Sequence, residues 1–224
     1  ERVRHDPTAN RSRSFNLEAA SLGLIRPIGK NWTITAQLDH SSRAPVAEEL
    51  YSDGPHLATR SYEIGDPTLD KEVAANITAT VQYANDSFRF AVSAYRTNFS
   101  DFIFESPTGA ALDELPVLLW QQEDAVFRGV EADLSWRALV WDSGSLTLNA
   151  GMDAVRAHLS GSVEDDLPRL PANRWQLSSL LEWNNFIVEL AYTNVDDQND
   201  VVPGELPTNG FDNLKAYLGY RAQM

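Results

Sequence analysis

Residues 73–95 read VAANITATVQYANDSFRFAVSAY, and this stretch decides the fold. Val73, Ala75, Ile77, Ala79, Val81 and Tyr83 alternate with Ala74, Asn76, Thr78, Thr80 and Gln82. After a tight link at Ala84–Ser87, Phe88, Phe90, Val92 and Ala94 alternate with Arg89, Ala91, Ser93 and Tyr95. A period of two marks a strand with one apolar and one wet face. Two such runs joined by turn residues form an antiparallel hairpin.

The pattern extends in both directions. Trp32, Ile34, Ala36 and Leu38 carry it upstream; Val130, Ala132, Leu134 and Trp136 carry it downstream. Trp175–Trp183, Phe186–Tyr192 and Leu214–Tyr220 repeat it. Nine strands are expected, over about 14–26, 31–42, 73–84, 87–104, 117–138, 145–159, 173–183, 186–195 and 212–222. Short turns at Pro27–Asn31, Ala84–Ser87, Ala138–Ser145 and Asn184–Asn185 alternate with long links. Those links are Arg43–Glu72, Glu105–Asp124, Ser160–Asn173 and Asp196–Asn213. Short turns at one end and long links at the other are the plan of an antiparallel up-and-down transmembrane β-barrel.

Several strands exceed the about 9–11 residues that cross a bilayer. The barrel is therefore expected to be large, with walls rising above the membrane. Single-chain bacterial barrels have even strand counts, and Glu1–Arg13 lacks the apolar stretch of a secretion signal. Residues 1–224 are expected to be a barrel domain incomplete at both ends.

Aromatic residues gather beside the short turns: Trp32, Tyr83, Phe88, Trp136, Trp141, Trp183, Phe186 and Tyr220. Amphipathic rings favour the headgroup level, so the reading is a membrane-interface girdle. The plainer reading is a row of large rings capping a sandwich core.

Composition narrows the function classes. The chain has 224 residues, 43% hydrophobic content and no cysteine, and its mean hydropathy is −0.33. No run approaches the about 18–20 apolar residues of a spanning helix. Lacking cysteine, it has no disulfides, thiolate metal sites or cysteine nucleophile. Eighteen basic and 32 acidic residues give a net charge of −14, with no basic stripe for nucleic acid. Twenty of the 32 acids fall in the four long links, so either an acidic mouth attracts cations or exposed loops are simply kept soluble. No phosphate-cradling Gly-rich loop, GxSxG elbow, HExxH pair or EF-hand loop is present, and no catalytic role is expected.

The link at 43–72, RAPVAEELYSDGPHLATRSYEIGDPTLDKE, resembles the extracellular segment of TonB-dependent outer-membrane receptors. R-x-P, E-L-Y, G-P-H, A-T, E-I-G and L-x-x-E occur there in the family's order. They are Arg43-Ala44-Pro45, Glu49-Leu50-Tyr51, Gly54-Pro55-His56, Ala58-Thr59, Glu63-Ile64-Gly65 and Leu69-Asp70-Lys71-Glu72. Tyr95–Ile103, Ala125–Ala132 and Leu167-Pro168-Arg169-Leu170-Pro171 also match the family. The G-P-H, A-T and E-I-G pieces look most like the zinc-uptake branch.

The resemblance implies a 22-stranded barrel closed by an N-terminal plug, in the outer membrane of a Gram-negative bacterium. It implies TonB-driven uptake of a scarce extracellular nutrient: a metal ion, siderophore, haem or similar. Zinc or an iron complex would then be cargo, with no resident cofactor. Implied partners are outer-membrane lipid, the plug, the TonB system and the nutrient. Set against the family pattern, residues 1–224 are expected to leave out the plug, the TonB box and the final strands.

Within 43–72, Glu48, Glu49, Asp53, His56, Glu63 and Asp66 are the candidate substrate-binding residues, with His56 the candidate metal ligand. Carboxylates and an imidazole supply the oxygen and nitrogen donors that zinc takes. Alternatively, Gly54-Pro55 shapes a turn and the acids are solvated or bridged to Arg43 and Arg60. His5, His40 and His158 lack metal-ligand spacing. Arg89, Arg96, Arg137 and Arg221 are candidates for the lumen. The competing architecture is a soluble β-sandwich that binds carbohydrate through its long loops, which would fold without detergent.

Overall fold

The computed structural model describes residues 12–161, 167, 169–202 and 205–222. His5, Pro168 and Met224 lie outside the described residues. In chain order the elements are β1 (Ala19–Ile28), β2 (Trp32–Arg43), α1 (Ala47–Tyr51), β3 (Asp53–His56), β4 (Ser61–Ile64) and β5 (Glu72–Ala84). Then come β6 (Phe88–Leu112), β7 (Leu115–Trp141), β8 (Gly144–Leu159), β9 (Arg174–Trp183), β10 (Phe186–Val195) and β11 (Phe211–Tyr220).

Nine of these strands form one up-and-down meander, β1-β2-β5-β6-β7-β8-β9-β10-β11. They are the nine expected from the alternation. Two further short strands, β3 and β4, and the helix α1 lie within 43–72, where only a loop was expected. All described strands belong to a single sheet. With no second layer to pack against, the sandwich reading fails.

The register keeps the two faces apart. Trp32, Tyr83, Phe90, Leu134, Ala150 and Leu177 are successive cross-strand partners, and so are Ile34, Val81, Val92, Ala132 and Met152. Polar residues line the other face, where side chains bond laterally across four strands. Ser21 Oγ donates to Asp39 (2.7 Å), Asn76 Nδ2 donates to Asp39 (3.1 Å) and Thr97 Oγ1 donates to Asn76 (3.0 Å).

Burial is concentrated at one end. The buried apolar side chains are Leu50, Leu69, Ile103, Ala125, Ala157, Leu159 and Leu167, all at the end with the long links. Leu22, Leu24, Leu38, Ile77, Leu177, Leu190, Leu214 and Leu218, on the strand bodies, are each about half exposed or more. A sheet in water buries such a face. A barrel wall gives it to lipid.

The aromatic rows adjoin the short turns as expected. Trp32 meets Tyr83 edge-on at 4.9 Å, and Tyr83 meets Phe88 at 5.9 Å. Trp183, Phe186 and Tyr220 continue the row at 6.5 and 5.0 Å.

Three expectations need correcting. The link Glu105–Asp124 is a paired hairpin: β6 and β7 run on to a turn at Asp113-Glu114. Pro107, Gly109 and Pro116 fall within it, and a register shift between Pro107 and Ala111 accommodates the first two; a further shift lies at Phe99/Phe102. Asp101, with φ 57°, makes the first shift, and its N–H donates to Asp124. The first strand starts at Ala19 rather than near residue 14, since β2 offers no partner for the segment before Glu18. Arg96 faces away from the wet side: it lies in line with Ile77, beyond Ala94 and Val92. Arg89 keeps the wet face opposite Ser135.

Candidate functional site at the long-link end

The link 43–72 folds around a clasp. Arg43 Nη1 donates to both oxygens of Glu49 at 3.0 Å, and Nη2 donates to Glu72 Oε2 at 3.1 Å. Glu49 also accepts the Val46 N–H at 2.8 Å, anchoring the start of α1. Glu72 accepts the Ile103 N–H at 3.1 Å, tying the clasp to β6. Leu50, Leu69 and Ile103 pack beneath it with Tyr51 and Trp120 at their edge.

Gly65 closes this unit. Its N–H donates to the Ser52 carbonyl, and the Asp66 N–H donates to the Glu49 carbonyl. A Cβ on Gly65 would sit 2.5 Å from the Tyr51 nitrogen and 2.7 Å from the Leu50 carbonyl carbon. The motif pieces R-x-P, E-L-Y, E-I-G and L-x-x-E are thus the parts of one joint.

The remaining expected residues divide by role. Glu49 serves the clasp. Asp66 accepts the N–H and hydroxyl of Thr68, shaping its own turn. Asp53 accepts the Tyr62 hydroxyl at 2.8 Å across the β3–β4 hairpin. Glu48 is exposed. His56 and Glu63 come together: His56 Nδ1 donates to Glu63 Oε1 at 2.7 Å. Thr59 and Ser61 donate to the same oxygen at 3.1 and 3.3 Å. No group of three or more His, Cys, Asp or Glu side chains poised to hold a metal ion occurs among the described residues. His40 lies 3.8 Å from Glu18.

Residues that the sequence did not single out complete the site. β4 runs parallel to β7, pairing Tyr62–Ile64 with Val117–Leu119, so Glu63 comes beside Glu105. The two carboxyl groups share a hydrogen bond. Burial, reinforced by Glu63, raises Glu105 to about 7 against the pull of Arg169. Burial also works against ionised Glu63, but bonds from Glu105, Thr59 and His56 hold it below its ordinary value. Glu105 therefore keeps a proton near neutrality and Glu63 the charge. Arg169 Nη2 lies 2.5 Å from Glu105 Oε2, a close contact not aligned as a hydrogen bond.

Beside this pair opens a cavity of about 640 Å³. Glu114, Glu205 and Arg169 supply its charges and Glu105 a protonated carboxyl; Thr59 and Ser61 add hydroxyls; Pro107, Pro116 and Val117 add apolar wall. Arg60, Asp113, Glu114 and Arg169, with φ between 50° and 66°, lie at or next to its lining. Strained backbone of this kind collects at ligand sites. Periodicity does not reveal Glu105, Glu114, Arg169 or Glu205, because four separate links converge here.

Fold and site together define the wall and mouth of an outer-membrane β-barrel. The TonB-dependent receptor-like β-barrel family matches residues 2–223, and the chain belongs to it. Membership places the chain in the outer membrane of a Gram-negative bacterium.

Among solved structures, a copper transporter, OprC, is 19% identical with a TM-score of 0.81, over 97% of this chain and 33% of that one. The siderophore receptor PirA from Pseudomonas aeruginosa is 17% identical with a TM-score of 0.60, over 93% and 37%. The FrpB iron transporter from Neisseria meningitidis is 17% identical with a TM-score of 0.64, over 91% and 32%. The chain thus spans about a third of the length of the structures it matches.

Proposed function

We propose that this chain forms part of the wall and extracellular mouth of a receptor that takes up a scarce cationic metal complex by TonB-driven transport. The cavity lined by Glu105, Glu114 and Glu205 carries this reading. Its volume falls within the about 300–1,000 Å³ of small-ligand sites, and its apolar wall suits a chelated metal better than a bare ion. The chain's charge of −14 steers cations toward it.

His56 is the candidate donor, with Nδ1 held by Glu63 so that Nε2 is the nitrogen available to a ligand. The G-P-H pattern resembles the zinc branch, and the OprC name speaks of copper; both support a transition metal as cargo. Lipid around the aromatic rows, a plug and the TonB system are the partners this reading requires.

The test is binding of zinc, copper and ferric-siderophore probes to the full receptor that contains this segment. Glu114→Gln with Glu205→Gln should weaken the preferred probe at least tenfold. Unchanged affinity for every bound probe would place the binding site elsewhere.

A further inference from the structure

Arg96, Arg128 and Arg156 are direct cross-strand partners on β6, β7 and β8. Toward the short turns, the next same-face line is Ala94, Val130 and Ala154. The arginines therefore continue the apolar, outward face at its extracellular edge. All three are exposed. Like charges directly opposite one another destabilise a sheet, and this chain has few basic residues to spare.

The surroundings leave the row under-neutralised. Arg96 Nε donates to Asn98 at 3.1 Å. Arg156 donates to Asn173 at 3.1 Å and lies 3.9 Å from Asp200, with both side chains of that pair 61% exposed. Arg128 has no ion pair among the described residues. Asp124, further out on β7, accepts the Asp101 N–H.

Height fixes what the row meets. Arg96 stands about eight residues beyond Phe88, a rise of about 20 Å for strands of about 3.3 Å per residue tilted about 40°. That approaches the about 25 Å height of the apolar band. The ring pair Trp175–Tyr192, 5.2 Å apart, lies on β9 and β10 nearer the short turns than the arginine row. Met152 is level with Trp175, and Arg156 lies further out along β8.

We infer that Arg96, Arg128 and Arg156 form a binding site for the phosphorylated headgroup of an outer-leaflet lipid. Guanidinium groups pair bidentately with phosphate. Strand spacing sets the three roots across about 10 Å, and Ala94, Val130 and Ala154 receive the acyl chains below. The inference rests on the outer-membrane placement of the chain, not on its cargo.

The test uses the full receptor in phosphatidylcholine vesicles doped with a diphosphorylated glycolipid or with the same lipid dephosphorylated. Lipid retained after detergent extraction is read by native mass spectrometry. The native receptor should retain the phosphorylated lipid at least tenfold better than the Arg96→Gln, Arg128→Gln, Arg156→Gln variant. Arg89→Gln, on the wet face, should match the native protein. Equal retention by the triple variant, or of both lipids, would overturn the site. Should the triple variant fail to show the heat-dependent gel shift of a folded barrel, Arg128→Gln alone is read, with a several-fold loss expected and no loss overturning the site. A native receptor that shows no such shift would sink the membrane reading itself.

Discussion

At the scale of single residues, the mouth is governed by two carboxyl groups with opposite tendencies. Glu105 is pushed up to about 7, first by burial and then by Glu63, while Glu63 is held down by its donors. A carboxyl group raised in the folded state stabilises it fully below its ordinary value, and that contribution is lost as pH rises through the folded value. The β3–β4 hairpin should therefore be tightest in mild acid and loosen between about pH 5 and about pH 8. Amide protection factors at Ser61–Ile64 should fall over this range in the native receptor and stay flat in Glu105→Gln. A flat native profile would contradict the shared proton.

At the scale of elements, the joint around α1 shows how a motif string becomes geometry. A five-residue helix is too short to persist alone, so the Arg43 clasp and the Gly65 contact hold it. Gly65→Ala drives a methyl into the Tyr51 and Leu50 backbone, which cannot yield as a side-chain tip would. Overpacking costs about 1–3 kcal/mol, enough to free α1 while the strands stay paired. Limited proteolysis should then cut near Ala47–Ser52 in Gly65→Ala and not in the native protein. Equal resistance would show the close approach to be soft.

Elsewhere an element-scale pairing explains another motif. Tyr95 and Gly129 are cross-strand partners, and a Cβ on Gly129 would strike the Tyr95 ring. The absent side chain makes room for the ring to lie across the neighbouring strand.

At the scale of the whole molecule, the sheet is a wall with different solvents on its two sides. Leu190 lies on the apolar face, 49% exposed, with Ala191 beside it on the wet face. Leu190→Arg should cost the full receptor about 2–4 kcal/mol in lipid, the depth-dependent penalty of a charge at mid-bilayer. Ala191→Arg should fold nearly as well as the native protein. Urea titration of the vesicle-embedded receptor separates the two, and equal penalties would mean the faces are misassigned.

The sequence alone determined the strands of the meander, their two faces, the aromatic rows and the family. Each is written in a period of two or in local motif order, and local pattern survives without knowledge of the fold. Only tertiary structure decided the site. The acids within 43–72 looked like a ligand cluster, yet Glu49 and Asp66 serve the joint, because Arg43 and Thr68 reach them first. Glu105 and Glu63 are far apart in the chain and meet only through the parallel pairing of β4 with β7. Arg169 and Glu205 arrive from two further links. Likewise, the row of three arginines exists only through register, since pairing across strands places them side by side and periodicity within one strand cannot.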